Sequence, residues 1–126
     1  MLCRVVYADD DPLVRETIVD VLSAWDIDVH SCENGLEAIE LCEKLNPHAA
    51  LLDLNMPLCD GFEAARRLRR NDGTRSIRLV AITGYGTSVS HREAAAAGFD
   101  AFLSKPVATQ RLVTALCLSK ESLRKT

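Results

Sequence analysis

Polar side chains that could do chemistry follow four apolar runs, each at the point where the run ends. In chain order these side chains are Asp9 with Asp10, Asp53, Thr83 and Lys105. A buried carboxylate is costly unless a cation compensates it, so apolar strands have no packing reason to hold acids at their ends. Together, three carboxylates, a hydroxyl and an ammonium would suit a hard divalent cation and an incoming anion. Mg²⁺ fits such an all-oxygen ligand set and shares its coordination with phosphoryl oxygens.

Asp53 lies in the stretch AALLDLNMP, residues 49–57, which is typical of a fully buried strand that stops at Pro57. Taken alone, an aspartate before a turn is more often a turn or helix-capping residue than a reactive group. In open parallel sheets, however, ligands bind outside the carboxyl ends of the strands, where this turn would lie. Both interpretations of Asp53 stay open at this point.

Three consecutive acids precede Pro12, and one of them is enough to cap a helix. We expect Asp11 to be that cap, with Pro12 as the first helical residue. Asp9 and Asp10 are then left at the end of a strand, and their mutual repulsion favours a bound cation.

Strand and helix patterns alternate five times along the chain with short connections. The predicted strands are Leu2–Ala8, Asp28–Cys32, the run from Ala49 that carries Asp53, Ile77–Thr83 and Ala101–Ser104. Such alternation predicts a parallel sheet covered by helices on both faces, which would bring the four polar strand ends to one edge.

The intervening helices carry local signals of their own. Residues 34–37, NGLE, have capping-box spacing. The third helix, which should follow Gly61 and run through Arg70, should bury Phe62, Ala65 and Leu68. A fourth helix from about Ser90 has only small alanines on its apolar face. We therefore expect it to pack weakly and to be free to shift.

Length and composition fit one globular domain. The chain has 126 residues and a net charge of −3, which argues against direct nucleic-acid binding. No apolar run approaches the roughly 20 residues that span a bilayer, and no leader precedes the first strand, so we expect a cytoplasmic protein without membrane insertion. The five cysteines lack any CxxC pair and are expected to be reduced and buried.

The motifs Asp9-Asp10, Asp53 with Asn55-Met56-Pro57, Thr83-Gly84 and Lys105-Pro106 resemble those of the receiver domains of two-component response regulators. The resemblance covers nearly the whole chain. It implies a flavodoxin-like, doubly wound α/β fold with five parallel strands in the order 2-1-3-4-5. Residues 1–119 would form the receiver domain, and residues 120–126 would form a charged tail.

The resemblance also implies site roles. Asp53 would accept a phosphoryl group from the phosphohistidine of a histidine kinase or phosphotransfer domain, or from a small acyl phosphate. Mg²⁺, or Mn²⁺ in its place, would be held by Asp10, Asp53 and the backbone carbonyl of Asn55, with Asp9 acting directly or through water. Lys105 would pair with a phosphoryl oxygen.

A conformational switch follows from the same resemblance. Thr83 would move toward the phosphoryl group, and Phe102 would turn inward to fill the space behind it. The fourth helix, fifth strand and fifth helix would then present a changed face to a downstream effector or to a second copy of the chain. Asn55 and Tyr85 would tune the lifetime of the phosphorylated state, and the Lys105-Pro106 bond would be cis.

Two other functions use the same residues. A Mg²⁺-dependent hydrolase could work through an aspartyl phosphate, but the short connections leave little room for a substrate pocket. A scaffold that is not phosphorylated is the third hypothesis. The Thr83-Gly84-Tyr85-Gly86 loop resembles receivers fused to sensor kinases, which suggests a receiver excised from a hybrid histidine kinase.

Overall fold

The computed structural model describes residues 3–84 and 91–117. The predictions that concern Tyr85, Gly86, Ser90 and residues 120–126 lie outside these ranges. The elements, in chain order, are β1 Arg4–Ala8, α1 Pro12–Ala24, β2 Asp28–Cys32, α2 Gly35–Leu45, β3 Ala49–Asp53, α3 Gly61–Arg70, β4 Arg78–Thr83, α4 His91–Ala97, β5 Ala101–Ser104 and α5 Thr109–Cys117.

All five strands are parallel and lie in the order β2-β1-β3-β4-β5, as predicted. Every residue of β3 is buried, because the strand is central and covered on both faces. Pairing of Ala8 with Leu52, Asp53 with Ile82 and Thr83 with Ser104 aligns the carboxyl ends of neighbouring strands. The predicted convergence of the polar strand ends rests on this register.

The two faces of the sheet have separate cores. On one face, Val6 and Ala8 pack with buried residues of α2, α3 and α4; on the other, Val5 and Tyr7 pack with α1 and α5. Successive strand residues point to opposite faces, which assigns Tyr7 and Asp9 to the same side.

Helix starts follow the predicted capping with one difference. Asp11 Oδ1 accepts hydrogen bonds from the amides of Leu13 and Val14, and Pro12 is the first helical residue. Asn34 caps α2 by accepting from the Glu37 amide, but the Glu37 carboxylate accepts from the Glu33 amide. The capping box is therefore formed in one direction only, and its return bond goes one residue further back.

The inner face of α3 is wider than predicted. Ala64, Ala65 and Leu68 are buried, whereas Phe62 is only partly buried against the same core. This helix contacts α2 on one side and α4 on the other, so its buried stripe extends to Ala64.

Of the four cysteines whose burial the structure describes, three are buried as predicted and one is only half-buried. Cys32, Cys42 and Cys59 are buried, Cys3 is half-buried, and all four are free of disulfides. Burial raises the pKa of the Cys32 and Cys42 thiols to about 12, which keeps them protonated. Within the described ranges, no helix has both the length and the apolar character needed to cross a membrane.

Candidate active site

Asp53 ends β3 and is 4% exposed. Its Oδ1 accepts a hydrogen bond from the Asn55 amide at 2.9 Å, which fixes the carboxylate against the turn. Gly61 makes this turn compact, because a Cβ atom there would lie 2.5 Å from the Asp53 carbonyl oxygen. Asp53 does not cap a helix: α3 is capped by Asp60, which accepts from the Glu63 amide.

Asp9 follows β1 and has no exposed surface. Its Oδ1 accepts from the Asp11 amide at 2.9 Å, and its Oδ2 accepts from the Tyr7 hydroxyl at 2.7 Å. The Asp9 carbonyl accepts from Arg15 Nη1 at 2.7 Å. Tyr7 and Arg15 are site residues that the sequence analysis missed.

Lys105, which follows β5, reaches across the sheet edge to both buried acids. Its Nζ donates to Asp9 Oδ2 and to Asp53 Oδ2, at 2.9 Å in each case. The Lys105 side chain is 20% exposed, so most of its length is shielded from water. The Lys105-Pro106 bond is cis, as the resemblance implied.

The two buried acids differ in how well their charge is compensated. Burial acts to raise the pKa of Asp9, but hydrogen bonds from the Asp11 amide, Tyr7 and Lys105 outweigh it and hold this pKa below its usual value. Burial raises the pKa of Asp53 above its usual value; the hydrogen bonds from the Asn55 amide and Lys105 oppose this rise without outweighing it, and the Asp9 charge raises the pKa further.

The pKa of Lys105 is raised. Burial acts to lower it, but the hydrogen bonds and charges of Asp53 and Asp9 prevail. The ammonium therefore stays charged between two carboxylates, which is the arrangement that an incoming anion requires.

The cluster also fits a metal ion. One carboxylate oxygen from each of Asp9, Asp10 and Asp53 can be chosen so that all three lie within 4.8 Å of one another. Asp10 is exposed at the rim while Asp9 and Asp53 are buried, so the cluster opens to solvent on one side. Hard carboxylate oxygens with room for water are the donors that Mg²⁺ uses.

Thr83 ends β4 and is 2% exposed. Its hydroxyl oxygen is buried and has no hydrogen-bond partner among the described residues. Such unsatisfied buried groups are rare and often belong to a functional site. Phe102 on β5 is half-buried, and its ring lies 4.6 Å from the His91 ring, tilted by 36°.

The structure thus brings Asp9, Asp10, Asp53 and Lys105 into one cluster, as predicted from the strand ends. Thr83 lies at the end of the adjacent strand β4. Asn55 is part of the site through its backbone amide, which donates to Asp53 Oδ1. Tyr85 falls outside the described residues.

Comparison with known proteins identifies the family. The family model described as the response regulator receiver domain matches residues 5–117. The chain belongs to this family. The receiver is similar to the response regulator MprA of Mycobacterium tuberculosis, with 36% identity over 114 residues that cover 90% of this chain and 48% of MprA. It therefore spans about half the length of this curated relative.

Two solved structures show the same fold. The receiver domain of the sensor histidine kinase PA1611 from Pseudomonas aeruginosa, solved with a magnesium ion coordinated in its active site cleft, has a TM-score of 0.83 and 23% identity, covering 94% of this chain and 100% of that one. A chain of the co-crystal of the Saccharomyces cerevisiae phosphotransfer protein Ypd1 with the Ssk1 receiver domain has a TM-score of 0.80 and 22% identity. The match covers 91% of this chain and 86% of that one.

These findings confirm the predicted fold and the receiver interpretation. The protein is a receiver domain of the two-component response regulator type, and neither the hydrolase nor the scaffold hypothesis is favoured by its relatives or its site.

Proposed function

We propose that Asp53 is the phosphoacceptor of this receiver. The observation that carries the proposal is the Lys105 ammonium, which is bonded at once to Asp53 and to Asp9 within the acidic cluster. A carboxylate is a weak nucleophile, so its reaction with a phosphoryl group depends on alignment and on neutralisation of the anion that approaches. Lys105 supplies the charge, and the Asn55 amide supplies the alignment.

The reaction transfers a phosphoryl group from a histidine nitrogen to a carboxylate oxygen. A carboxylate oxygen of Asp53 forms a bond to phosphorus while the bond from phosphorus to the histidine nitrogen of the donor breaks. The imidazole leaves with that electron pair. Lys105 shifts from the carboxylates to a phosphoryl oxygen. The Thr83 hydroxyl, which has no hydrogen-bond partner in the described part of the chain, donates to another.

Magnesium is the metal that suits this site, since all available donors are oxygens. Asp10, Asp53 and the Asn55 carbonyl would hold it, with Asp9 in direct contact or bonded through water. When bound, the ion neutralises phosphoryl charge and orients the anion. A neighbour with the same fold, the PA1611 receiver, coordinates magnesium in its cleft, which supports Mg²⁺ over Mn²⁺ as the first ion to test.

The phosphodonor in this proposal is a histidine kinase or a histidine phosphotransfer protein. Support comes from the family and from the fold shared with the chain in the Ypd1–Ssk1 co-crystal. We further propose that residues 1–119 form the functional receiver, consistent with the family match to residues 5–117.

The output in this proposal passes through Thr83 and Phe102 to the face formed by α4, β5 and α5, where an effector or a second copy would bind. Movement of Thr83 toward the phosphoryl group would free space that the half-buried Phe102 ring can enter, ending its contact with His91. Loss of that ring contact would appear as a change in the His91 imidazole resonances on addition of beryllofluoride and Mg²⁺.

Intact-protein mass spectrometry tests the central proposal. The chain is incubated with acetyl phosphate and Mg²⁺, and Asp53→Asn is the matched variant. We expect one phosphoryl adduct on the wild type and none on the variant. An adduct that persists in Asp53→Asn would refute the assignment, and continuous turnover of an external phosphate ester would favour the hydrolase.

A further inference from the structure

Tyr7 is a buried polar residue next to the site. It has no exposed surface, and its ring packs in the core formed with α1 and α5. The phenol oxygen is the only polar atom of the side chain, and it donates to Asp9 Oδ2 at 2.7 Å. Core packing would be served equally well by phenylalanine, so the hydroxyl needs a separate explanation.

Asp9 Oδ2 accepts hydrogen bonds from two donors, and one donor is held in place more firmly than the other. One is the Tyr7 hydroxyl, whose ring is fixed in the core, and the other is Lys105 Nζ, which is shared with Asp53. If Lys105 turns to a phosphoryl oxygen, as the proposed function requires, Tyr7 is the donor that remains at this oxygen. The Asp11 amide meanwhile holds the opposite oxygen, Oδ1.

We propose that Tyr7 is a positioning residue: its hydroxyl holds the Asp9 carboxylate in the orientation that a divalent cation requires, wherever Lys105 points. This inference rests on the proposed function. Partners that orient metal ligands typically change metal affinity by 10-fold to 100-fold when they are removed. Because the Asp11 amide still restrains Oδ1 after the hydroxyl is lost, we expect the lower end of that range.

Isothermal titration calorimetry with MgCl₂ on the full chain tests the inference. Tyr7→Phe keeps the ring and removes only the hydroxyl, and we expect about a tenfold weaker Mg²⁺ affinity. Thr74→Val is the matched control, because Thr74 is also buried and its hydroxyl donates to the Leu68 carbonyl at 2.8 Å, in a hydrogen bond that involves none of the site residues. The Mg²⁺ affinity of Thr74→Val should equal that of the wild type.

Loading with acetyl phosphate adds a readout that separates positioning from general damage. For Tyr7→Phe, the Mg²⁺ concentration at half-maximal rate should rise about tenfold, while the rate at saturating Mg²⁺ should stay within about twofold of the wild type. If instead the loading rate at saturating Mg²⁺ falls about tenfold and the Mg²⁺ concentration at half-maximal rate does not change, the inference is overturned.

A second measurement covers the case in which Tyr7→Phe does not fold. The chain contains two tyrosines, so Tyr85→Phe leaves Tyr7 as the single ¹³Cζ-tyrosine signal. Its chemical shift should move on Mg²⁺ binding, because the hydrogen-bond acceptor becomes a metal ligand. A signal that is unchanged at saturating Mg²⁺ contradicts the inference.

Mg²⁺ binding by the wild type and by Tyr7→Phe distinguishes a failure of the proposed function from a failure of the inference about Tyr7. If the wild type shows no Mg²⁺ binding, the proposed function fails together with the inference. If wild type and Tyr7→Phe bind Mg²⁺ equally, the role of Tyr7 is wrong and the proposed function stands.

Discussion

Removal of the Lys105 ammonium should destabilise the metal-free protein and make its stability unusually dependent on Mg²⁺. Lys105→Met keeps most of the side-chain volume and deletes the charge that bonds Asp9 and Asp53. Both carboxylates are then left buried at 4% exposure or less without their shared cation.

The size of the effect follows from the two contacts of 2.9 Å. Removing one partner of a buried ion pair typically costs about 3–5 kcal/mol. One carboxyl group can take up a proton, which limits the loss, so we expect about 3 kcal/mol at pH 8. Lowering the pH toward 5 should shrink the loss, because protonation of Asp53, whose pKa is already raised, becomes easier without the ammonium.

Urea unfolding with and without Mg²⁺ measures these quantities. Mg²⁺ at a hundredfold excess over its Kd stabilises any variant that binds it by about 2.7 kcal/mol. At one fixed Mg²⁺ concentration the increment should be larger for Lys105→Met, since no ammonium competes for the same oxygens. Lys44→Met, which removes an exposed lysine from α2, is the control and should change stability by less than about 1 kcal/mol.

Equal metal-free stability of Lys105→Met and wild type would show that the ammonium does not compensate the two acids. Equal Mg²⁺ increments would show that Lys105 and the metal do not share oxygens. Either result would remove the electrostatic basis of the proposed site.

Further predictions concern the turn after β3, the hydrogen bonds of Arg69 on α3 and the pH dependence of stability. Gly61→Ala should slow acetyl phosphate loading by about tenfold or more and lower the free energy of unfolding by about 1–3 kcal/mol, because the added Cβ would lie 2.5 Å from the Asp53 carbonyl oxygen. Gly73→Ala is the control, since the atom nearest to its Cβ is a side-chain oxygen at 3.4 Å, and it should load normally in the same mass assay. Arg69→Ala should lower the free energy of unfolding, measured in urea, by about 2–4 kcal/mol, because the Arg69 guanidinium donates to three carbonyls and a carboxylate. Arg70 is exposed, and Arg70→Ala should leave this free energy nearly unchanged. In metal-free buffer, Asp53→Asn should have a higher free energy of unfolding than the wild type at pH 7, and this difference should shrink toward pH 4. The reason is that the pKa of Asp53 is raised in the folded state, so its ionisation destabilises the fold only at pH values above that pKa.

Much of the site follows from where apolar runs end. A parallel sheet places all carboxyl ends at one edge, so an acid after β1, an acid after β3 and a lysine after β5 must approach one another whatever the details of packing. The strand order itself came from the family resemblance. These are properties of topology, which short connections and buried strands largely determine.

Contacts that depend on individual side chains were harder to predict. Tyr7 lies in a strand whose other residues are mostly apolar, so its hydroxyl does not stand out in the sequence. Its spacing of two residues from Asp9, however, places both side chains on one face and is a usable signal. Phe62 was expected to be part of the inner face of α3, but a helix flanked on both sides buries a wider stripe, and Ala64 is included in it. Such a neighbour arrangement is not visible in the periodicity of one helix.

The site holds unfavourable features that a bound anion and a bound cation would relieve. Burial raises the pKa of Asp53, the Thr83 hydroxyl has no hydrogen-bond partner among the described residues, and Lys105 is shared between two acids. A buried donor without a partner costs about 1–3 kcal/mol. If a phosphoryl oxygen accepts that hydrogen bond, the same 1–3 kcal/mol favours the conformation in which Thr83 has moved inward. This corresponds to a shift of about 5-fold to 150-fold in a two-state equilibrium, which is the range of ordinary allosteric coupling. In the proposed switch, the hydrogen bond that the Thr83 hydroxyl lacks among the described residues would thus supply free energy for the change. Thr83→Val should therefore load phosphate yet lose the change at His91.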